Sequence, residues 1–67
     1  MTYSGTVVRL IIDKGFGFIK GGPDEAEYFF HRSAVGSDWQ ALTEGTVVTF
    51  EPTEGPKGPR AEHVERA

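Results

Sequence analysis

The sequence predicts an all-β fold, a small barrel of five antiparallel strands in Greek-key order. Short runs of β-branched and aromatic residues recur along the chain, separated by Gly, Pro and Asp at roughly 8–12-residue intervals. Helical periodicity is hard to find. With 67 residues and no cysteine, residues 1–67 are expected to form one domain whose single small core is held by packing alone.

The first three strands are predicted in the N-terminal half of the chain. Residues 5–12, GTVVRLII, are rich in β-branched side chains and form the first strand. Residues 13–15 turn into the second strand, KGFGFIK at 14–20. A Gly-Gly-Pro-Asp loop then leads to the third strand at residues 27–31, EYFFH.

The C-terminal half supplies the remaining two strands. A short helical turn at 33–35 and a connector at 36–45 precede the fourth strand, residues 46–51, which Pro52 is expected to end. Turn-forming residues between positions 53 and 59 predict a loop, followed by the last strand at 60–65.

The segment KGFGFIK combines an aromatic face with basic ends. Because alternate residues of a strand point to the same face, Phe16 and Phe18 stand side by side while Ile19 points to the other face. Lys14 and Lys20 add positive charge at the ends of the segment. A core strand has no need of these lysines, whereas a surface that stacks bases and neutralises phosphates needs both aromatic rings and positive charge.

Alternation along the strands separates a predicted core from a predicted outer face. The core candidates are Val7, Ile19, Tyr28, Phe30, Val35, Val48, Phe50 and Val64. The opposite positions on strands two and three form an outer face of Phe16, Phe18, Phe29 and His31. In the run from Tyr28 to Phe30 all three residues are aromatic, so alternation alone does not say which of them is buried.

Composition narrows the function classes. The net charge of −3 argues against binding nucleic acid by bulk electrostatics, so such binding would need a local basic patch. The chain shows no Ser/His/Asp or Cys/His set of catalytic residues, no phosphate-binding loop and no cluster of metal ligands, and we expect neither enzymatic activity nor a cofactor.

The N-terminus lacks signal-peptide features and no stretch could span a membrane, which fits a cytoplasmic protein. The initial methionine and compact length favour a free-standing chain.

Several motifs together resemble the cold-shock domain, a five-stranded barrel of the oligonucleotide-binding type (OB-fold). KGFGFI resembles the first ribonucleoprotein motif of that family, and residues 28–33, YFFHRS, occupy the place of the second. RNA-recognition motifs use a string similar to KGFGFI, but the short length and missing helices exclude their fold. The resemblance extends over nearly the whole chain through further matches at residues 33–35, Leu42, 44–45, 48–50, 57–59, Ala61 and Val64.

The resemblance implies a cytoplasmic, monomeric binder of single-stranded RNA or DNA that acts as an RNA chaperone or regulator of gene expression. Carried over by position, the stacking residues are Phe16, Phe18, Phe29 and His31, with Trp39 in the connector and Lys14 and Lys57 as basic neighbours. The resemblance also implies that the protein binds neither a membrane nor a small-molecule substrate.

Two positions depart from the family pattern. Arg9 replaces the usual outward tryptophan of strand one, and Arg32 replaces the phenylalanine that closes the second motif. Since base–aromatic stacking contributes roughly 1–3 kcal/mol per base, losing two rings costs about 2–6 kcal/mol before compensation. A guanidinium group can stack on a base and also pair with phosphate. We therefore expect binding that is weaker and more salt-sensitive than is typical of the family.

Three alternatives stay open on the sequence alone. The two arginines could instead form surface ion pairs with Asp13, Glu27 or Asp38, which contribute little energy. Trp39 could close the bottom of the core. The acidic charge and the missing aromatic residues are also compatible with a barrel that serves as a protein-interaction module with little affinity for nucleic acid. Lys20, Arg60, His63 and Arg66 are interpreted as solvated surface residues.

Overall fold

Five strands form a closed barrel in the computed structural model, which describes residues 2–56 and 58–67, without the side chain of Ser37. The strands and short 3-10 helices, in chain order, are β1 Tyr3–Ile11, β2 Phe16–Gly21, β3 Ala26–His31, η1 Arg32–Ala34, η2 Gly36–Ala41, β4 Val47–Gly55 and β5 Gly58–Arg66. Around the barrel the strands follow the order β1-β2-β3-β5-β4, and β4 returns to pair with β1. The predicted all-β, five-stranded barrel is confirmed.

The pairing of β3 with β5 runs parallel, a detail that the antiparallel prediction did not include. The other four pairings, β1–β2, β2–β3, β1–β4 and β4–β5, are antiparallel. The strands β2 and β3 therefore lie side by side in the wall, with β1 and β5 flanking them, and residues from all four can reach the outer face.

The prediction that Pro52 ends the fourth strand was wrong. The strand β4 continues to Gly55, and Pro52 pairs with Ala61 of β5. The pairing of β1 with β4 extends only to Phe50, so among the described residues the later part of β4 has β5 as its one neighbouring strand. Proline is tolerated on such an edge. The predicted loop at 53–59 is accordingly the tip of a β4–β5 hairpin.

Apolar side chains from all five strands and from the connector form the core. Seven of the eight predicted core residues are buried, and the sequence prediction omitted Leu42 and Ala61, which are buried as well. Tyr28 is half-buried and packs against the core, with its ring centroid 4.9 Å from that of Phe50. Phe30 is fully buried. The burial therefore resolves the ambiguous aromatic run, with Phe30 pointing inward and Phe29 pointing outward.

Gly17, between the two phenylalanines of KGFGFIK, sits where the barrel wall is tightly packed. An ideal Cβ at this position would lie 2.6 Å from the backbone oxygen of Arg9 and 2.9 Å from Cζ of Phe30. Real Cβ atoms do not approach other atoms this closely, so no larger residue fits without displacing the backbone or the core ring. The glycine lets β1 and Phe30 close against β2 directly beneath the outer phenylalanines.

His63 occupies a bulge in β5. Thr49 and Glu51 of β4 pair with Glu65 and Glu62, so β5 carries one residue more than its partner over this interval. His63 has φ of 51°, in the left-handed region. The extra residue allows Ala61 and Val64, three positions apart, to be buried together.

We expect the left-handed backbone at position 63 to distinguish glycine from β-branched residues. His63→Val should lower the free energy of unfolding by about 1–2 kcal/mol, whereas His63→Gly should lower it by clearly less, because valine is strained at positive φ and glycine is not. Both variants remove the 3.0 Å hydrogen bond between His63 Nδ1 and Glu51 Oε1, so their difference isolates backbone strain. Urea unfolding measures it, and equal losses for the two variants would contradict the bulge geometry.

Candidate functional site

Three phenylalanine rings contact one another on the outer face of β2 and β3. The centroid of Phe29 lies 5.4 Å from that of Phe16 and 5.9 Å from that of Phe18, and the two rings of β2 are 6.1 Å apart. The strand register pairs Phe18 with Phe29 and Phe16 with His31. We call these four residues the aromatic platform. All four are half-buried, so each leaves part of its ring open to solvent.

His31 has its ring orientation set by Ser33. The backbone N–H of Ser33 donates to Nδ1 of His31 at 3.2 Å, and the Ser33 hydroxyl lies 3.0 Å from the same atom. Because a backbone N–H can only donate, Nδ1 is an acceptor, and the neutral ring carries its proton on Nε2. The platform therefore has a hydrogen-bond donor on the side of the imidazole away from Ser33.

Arg9 reaches the outer face because of a bulge in β1. The register shifts between Val7, which pairs with Ile19, and Arg9, which pairs with Phe18. Simple alternation from the buried Val7 would point Arg9 into the core, and the extra residue, Val8, reverses this. Arg9 is exposed and lines a shallow depression of about 520 Å³ together with Phe16 and Phe18.

Arg32 lies against the turn that precedes β2. Its backbone N–H donates to the carbonyl of Gly15 at 2.9 Å, and an ideal Cβ on Gly15 would be 3.1 Å from Cδ of Arg32. The arginine stem thus runs across the glycine, one residue from Phe16. Arg32 also lines a depression of about 450 Å³ with Trp39 and Gln40.

Trp39 packs against the core rather than against the platform rings. Its ring is 6.1 Å from that of Phe30, in an edge-to-face arrangement, and it is only half-buried. The open part of the indole lines the depression beside Arg32. Both interpretations of Trp39 thus have a structural basis, one for each side of its ring.

The remaining basic residues differ in what the structure says of them. Lys14 is exposed in the turn before β2, whereas Lys57 lies outside the described residues. Among the residues that are described, neither Arg9 nor Arg32 has a carboxylate oxygen within 4.0 Å, and Asp38 instead faces Arg66 at 3.9 Å. The alternative of surface ion pairs for these two arginines has no support in the described part of the chain.

Arg60 is the residue that sequence reasoning missed. It is half-buried, its Cζ lies 5.5 Å from the centroid of Phe29, and the register pairs the two residues across β3 and β5. The side chain is 39% exposed, as expected of a surface charge, and the structure adds the contact with the Phe29 ring. No local pattern points to this contact, because it depends on a parallel pairing between distant segments.

Two other kinds of site find no support in the structure. No three His, Asp or Glu side chains gather as a metal site anywhere in the described ranges. Within those ranges, too, none of the helices has the length and apolarity that crossing a membrane requires.

Comparison with known proteins gives matches over nearly the whole chain. The model of a family described as the "cold-shock" DNA-binding domain matches residues 3–67. The cold shock protein ScoF of Streptomyces coelicolor is 45% identical over 64 residues, covering 91% of this chain and 92% of that protein. The cold shock-like protein CspLB of Listeria monocytogenes is 47% identical, with the same coverage.

A solved structure is similar in fold alone. The chain superimposes on drosophila Unr CSD456 with a TM-score of 0.81 at 22% identity, and the match covers 100% of this chain and 27% of that one.

Proposed function

This chain belongs to the cold-shock domain family, and on that premise we propose that it binds single-stranded RNA, and also single-stranded DNA, by stacking unpaired bases on the aromatic platform. The observation that carries the proposal is the contiguous outer cluster of Phe16, Phe18 and Phe29, whose rings touch one another while staying half-open to solvent. Every base has a π-face, so such a cluster accepts different sequences.

Cold-shock proteins bind nucleic acid and are not enzymes, which confirms the expectation that this chain is not an enzyme. A barrel with a fixed aromatic face accommodates duplex poorly, because paired bases are already stacked on one another. Binding therefore favours opened strands and destabilises RNA secondary structure by mass action, without nucleotide hydrolysis. This is an RNA-chaperone role, which we assign to a monomer in the cytoplasm.

The basic residues around the platform supply the electrostatic part of the proposal. Arg9 flanks Phe18, and Arg32 lies beside the start of β2, so each guanidinium can pair with a phosphate or stack on a further base. Lys14, Lys57 and Trp39 are assigned to the same strand of nucleic acid at the edges of the platform. Glu27 lines the Arg9 depression and keeps the local positive charge moderate.

Salt dependence tests the electrostatic part. With about three phosphate contacts, the affinity for a labelled heptathymidine should fall roughly 20-fold between 50 mM and 200 mM salt, as fluorescence anisotropy would measure. Arg9→Gln and Arg32→Gln should each reduce the slope of log K against log salt by about 0.7. Arg66→Gln is the matched control, since Arg66 faces Asp38. Salt-insensitive binding would show that these arginines do not contact phosphate.

A second candidate function, protein interaction, is favoured by exposed apolar side chains beside the platform. Val8 and Ile12 are 40% and 60% exposed, on and just after β1. A chemical-shift titration with a short pyrimidine oligomer separates the two candidates. Shifts confined to residues 9–32 and 57–60 support nucleic-acid binding, whereas their absence at submillimolar protein supports the protein-interaction function.

A further inference from the structure

A depression in the surface adjoins one end of the aromatic platform. It measures about 590 Å³ and is lined by Phe18, Phe29, Pro56, Gly58, Pro59 and Arg60. Two aromatic rings and two prolines make its walls apolar, and Arg60 is the one ionised side chain among these lining residues. A base that stacks here therefore meets flat apolar surfaces and, among the described lining residues, one source of strong hydrogen bonds, the Arg60 guanidinium.

Packing holds Arg60 in place. An ideal Cβ on Gly55 would lie 2.9 Å from Cδ of Arg60, so the arginine stem occupies the space that a larger residue would fill. The guanidinium carbon lies 5.5 Å from the Phe29 centroid. The buried Nε has no hydrogen-bond partner, and the Glu62 carboxylate stands 3.6 Å away. Within the described part of the chain the guanidinium makes no hydrogen bond, so its terminal N–H groups are available to a ligand.

The bases differ in the hydrogen-bond acceptors that they present to the paired N–H donors of a guanidinium group. Guanine presents O6 and N7 as two adjacent acceptors, which a guanidinium binds in a bidentate manner. Thymine and uracil place an N–H donor beside each carbonyl, and adenine places an amino group beside N7. Cytosine has two adjacent acceptors but a single ring, which covers less of the aromatic wall. Guanine alone combines the paired acceptors with the larger stacking area.

We infer that Arg60 makes this depression a guanine-selective subsite, a specificity that rests on the proposed single-strand binding. The subsite stacks the guanine on Phe18 and Phe29 while Arg60 donates to O6 and N7. A chain that otherwise tolerates any sequence thus gains a preference for guanine at one position of the bound strand.

The test compares labelled heptanucleotides that differ only in the central base. Replacing the central thymine of heptathymidine by guanine should tighten binding about tenfold, and replacing it by 7-deazaguanine, which lacks the N7 acceptor, should remove most of that gain. Cytosine should give less than guanine. Fluorescence anisotropy measures each affinity at one fixed salt concentration.

Two variants assign the preference to Arg60. Arg60→Met keeps an apolar stem beside Gly55 but removes the donors, and Gly55→Ala keeps Arg60 but displaces its stem. In both, the guanine-to-thymine affinity ratio should fall to about one, and this ratio, rather than the absolute affinity for heptathymidine, reports the loss of selectivity. Circular dichroism confirms that each variant is folded.

The outcomes distinguish failure of the guanine selectivity from failure of the proposed single-strand binding. If no oligonucleotide binds the unaltered protein, the proposed function fails and the subsite with it. Equal binding of all the oligonucleotides overturns guanine selectivity and leaves single-strand binding intact. A guanine preference that persists in folded Arg60→Met shows that another residue reads the base and overturns the role of Arg60.

Discussion

Phe29→Ala should lower the affinity for heptathymidine by about 10- to 100-fold and leave the barrel folded. The ring of Phe29 touches both other phenylalanines of the platform and lies beneath Arg60, so its loss removes the centre of the stacking surface. Stacking contributes about 1–3 kcal/mol per base, and this ring is positioned to serve more than one base. A chemical-shift titration measures the affinity, and thermal unfolding shows that the fold is retained.

The matched control for Phe29→Ala is Val47→Ala, which removes an exposed apolar side chain from β4, outside the platform. It should leave the affinity unchanged. Phe16→Ala, on the neighbouring strand, should also weaken binding. Unaltered affinity in a folded Phe29→Ala protein would rule out the platform as the binding surface.

Phe30→Ala, one residue further along, should unfold most of the protein. Phe30 has no exposed surface, and such a truncation of a buried phenylalanine costs about 3–5 kcal/mol. A domain of 67 residues has a total stability of roughly 3–10 kcal/mol, so little remains. Urea unfolding followed by the fluorescence of Trp39, the single tryptophan, measures the loss.

Phe29→Ala serves as the internal comparison for Phe30→Ala, because the two variants remove the same side chain from opposite faces of β3. The outward change should impair binding with a small loss of stability, and the inward change should impair stability first. A cooperative transition of folded Phe30→Ala at the original urea midpoint would contradict the burial that the structure assigns to this ring.

The sequence pattern was sufficient to predict which residues of the second strand face outward and which residues form most of the core. In KGFGFIK the alternation of Phe with Gly and Ile is unambiguous, and the structure buries Ile19 while leaving Phe16 and Phe18 half-open. In the aromatic run before His31, alternation could not choose a face, and the register of the cold-shock family supplied it. For Arg9 the family register also mattered, because the bulge at Val8 overrides simple alternation.

Features that depend on distant pairing were not predictable from the sequence. The contact between Arg60 and Phe29 requires β5 to lie parallel to β3, and no local pattern in either segment encodes that neighbour. The continuation of β4 beyond Pro52 has the same origin, because β5 provides the partner for this edge. Where a strand ends thus depends less on the local preference of a proline than on whether a partner strand continues the pairing.

The parallel β3–β5 pairing also sets an order of assembly. Residues 3–31 can pair through contacts between neighbours in the chain, whereas closure must wait until Arg60 meets Phe29, after a long intervening segment has been ordered. Closing such a loop has an entropic cost that precedes the gain from contacts, so it is a slow step. On a growing polypeptide, the platform phenylalanines are therefore synthesised well before Pro59 and Arg60, which complete the guanine subsite, and during this interval the rings are exposed to other chains in the cell.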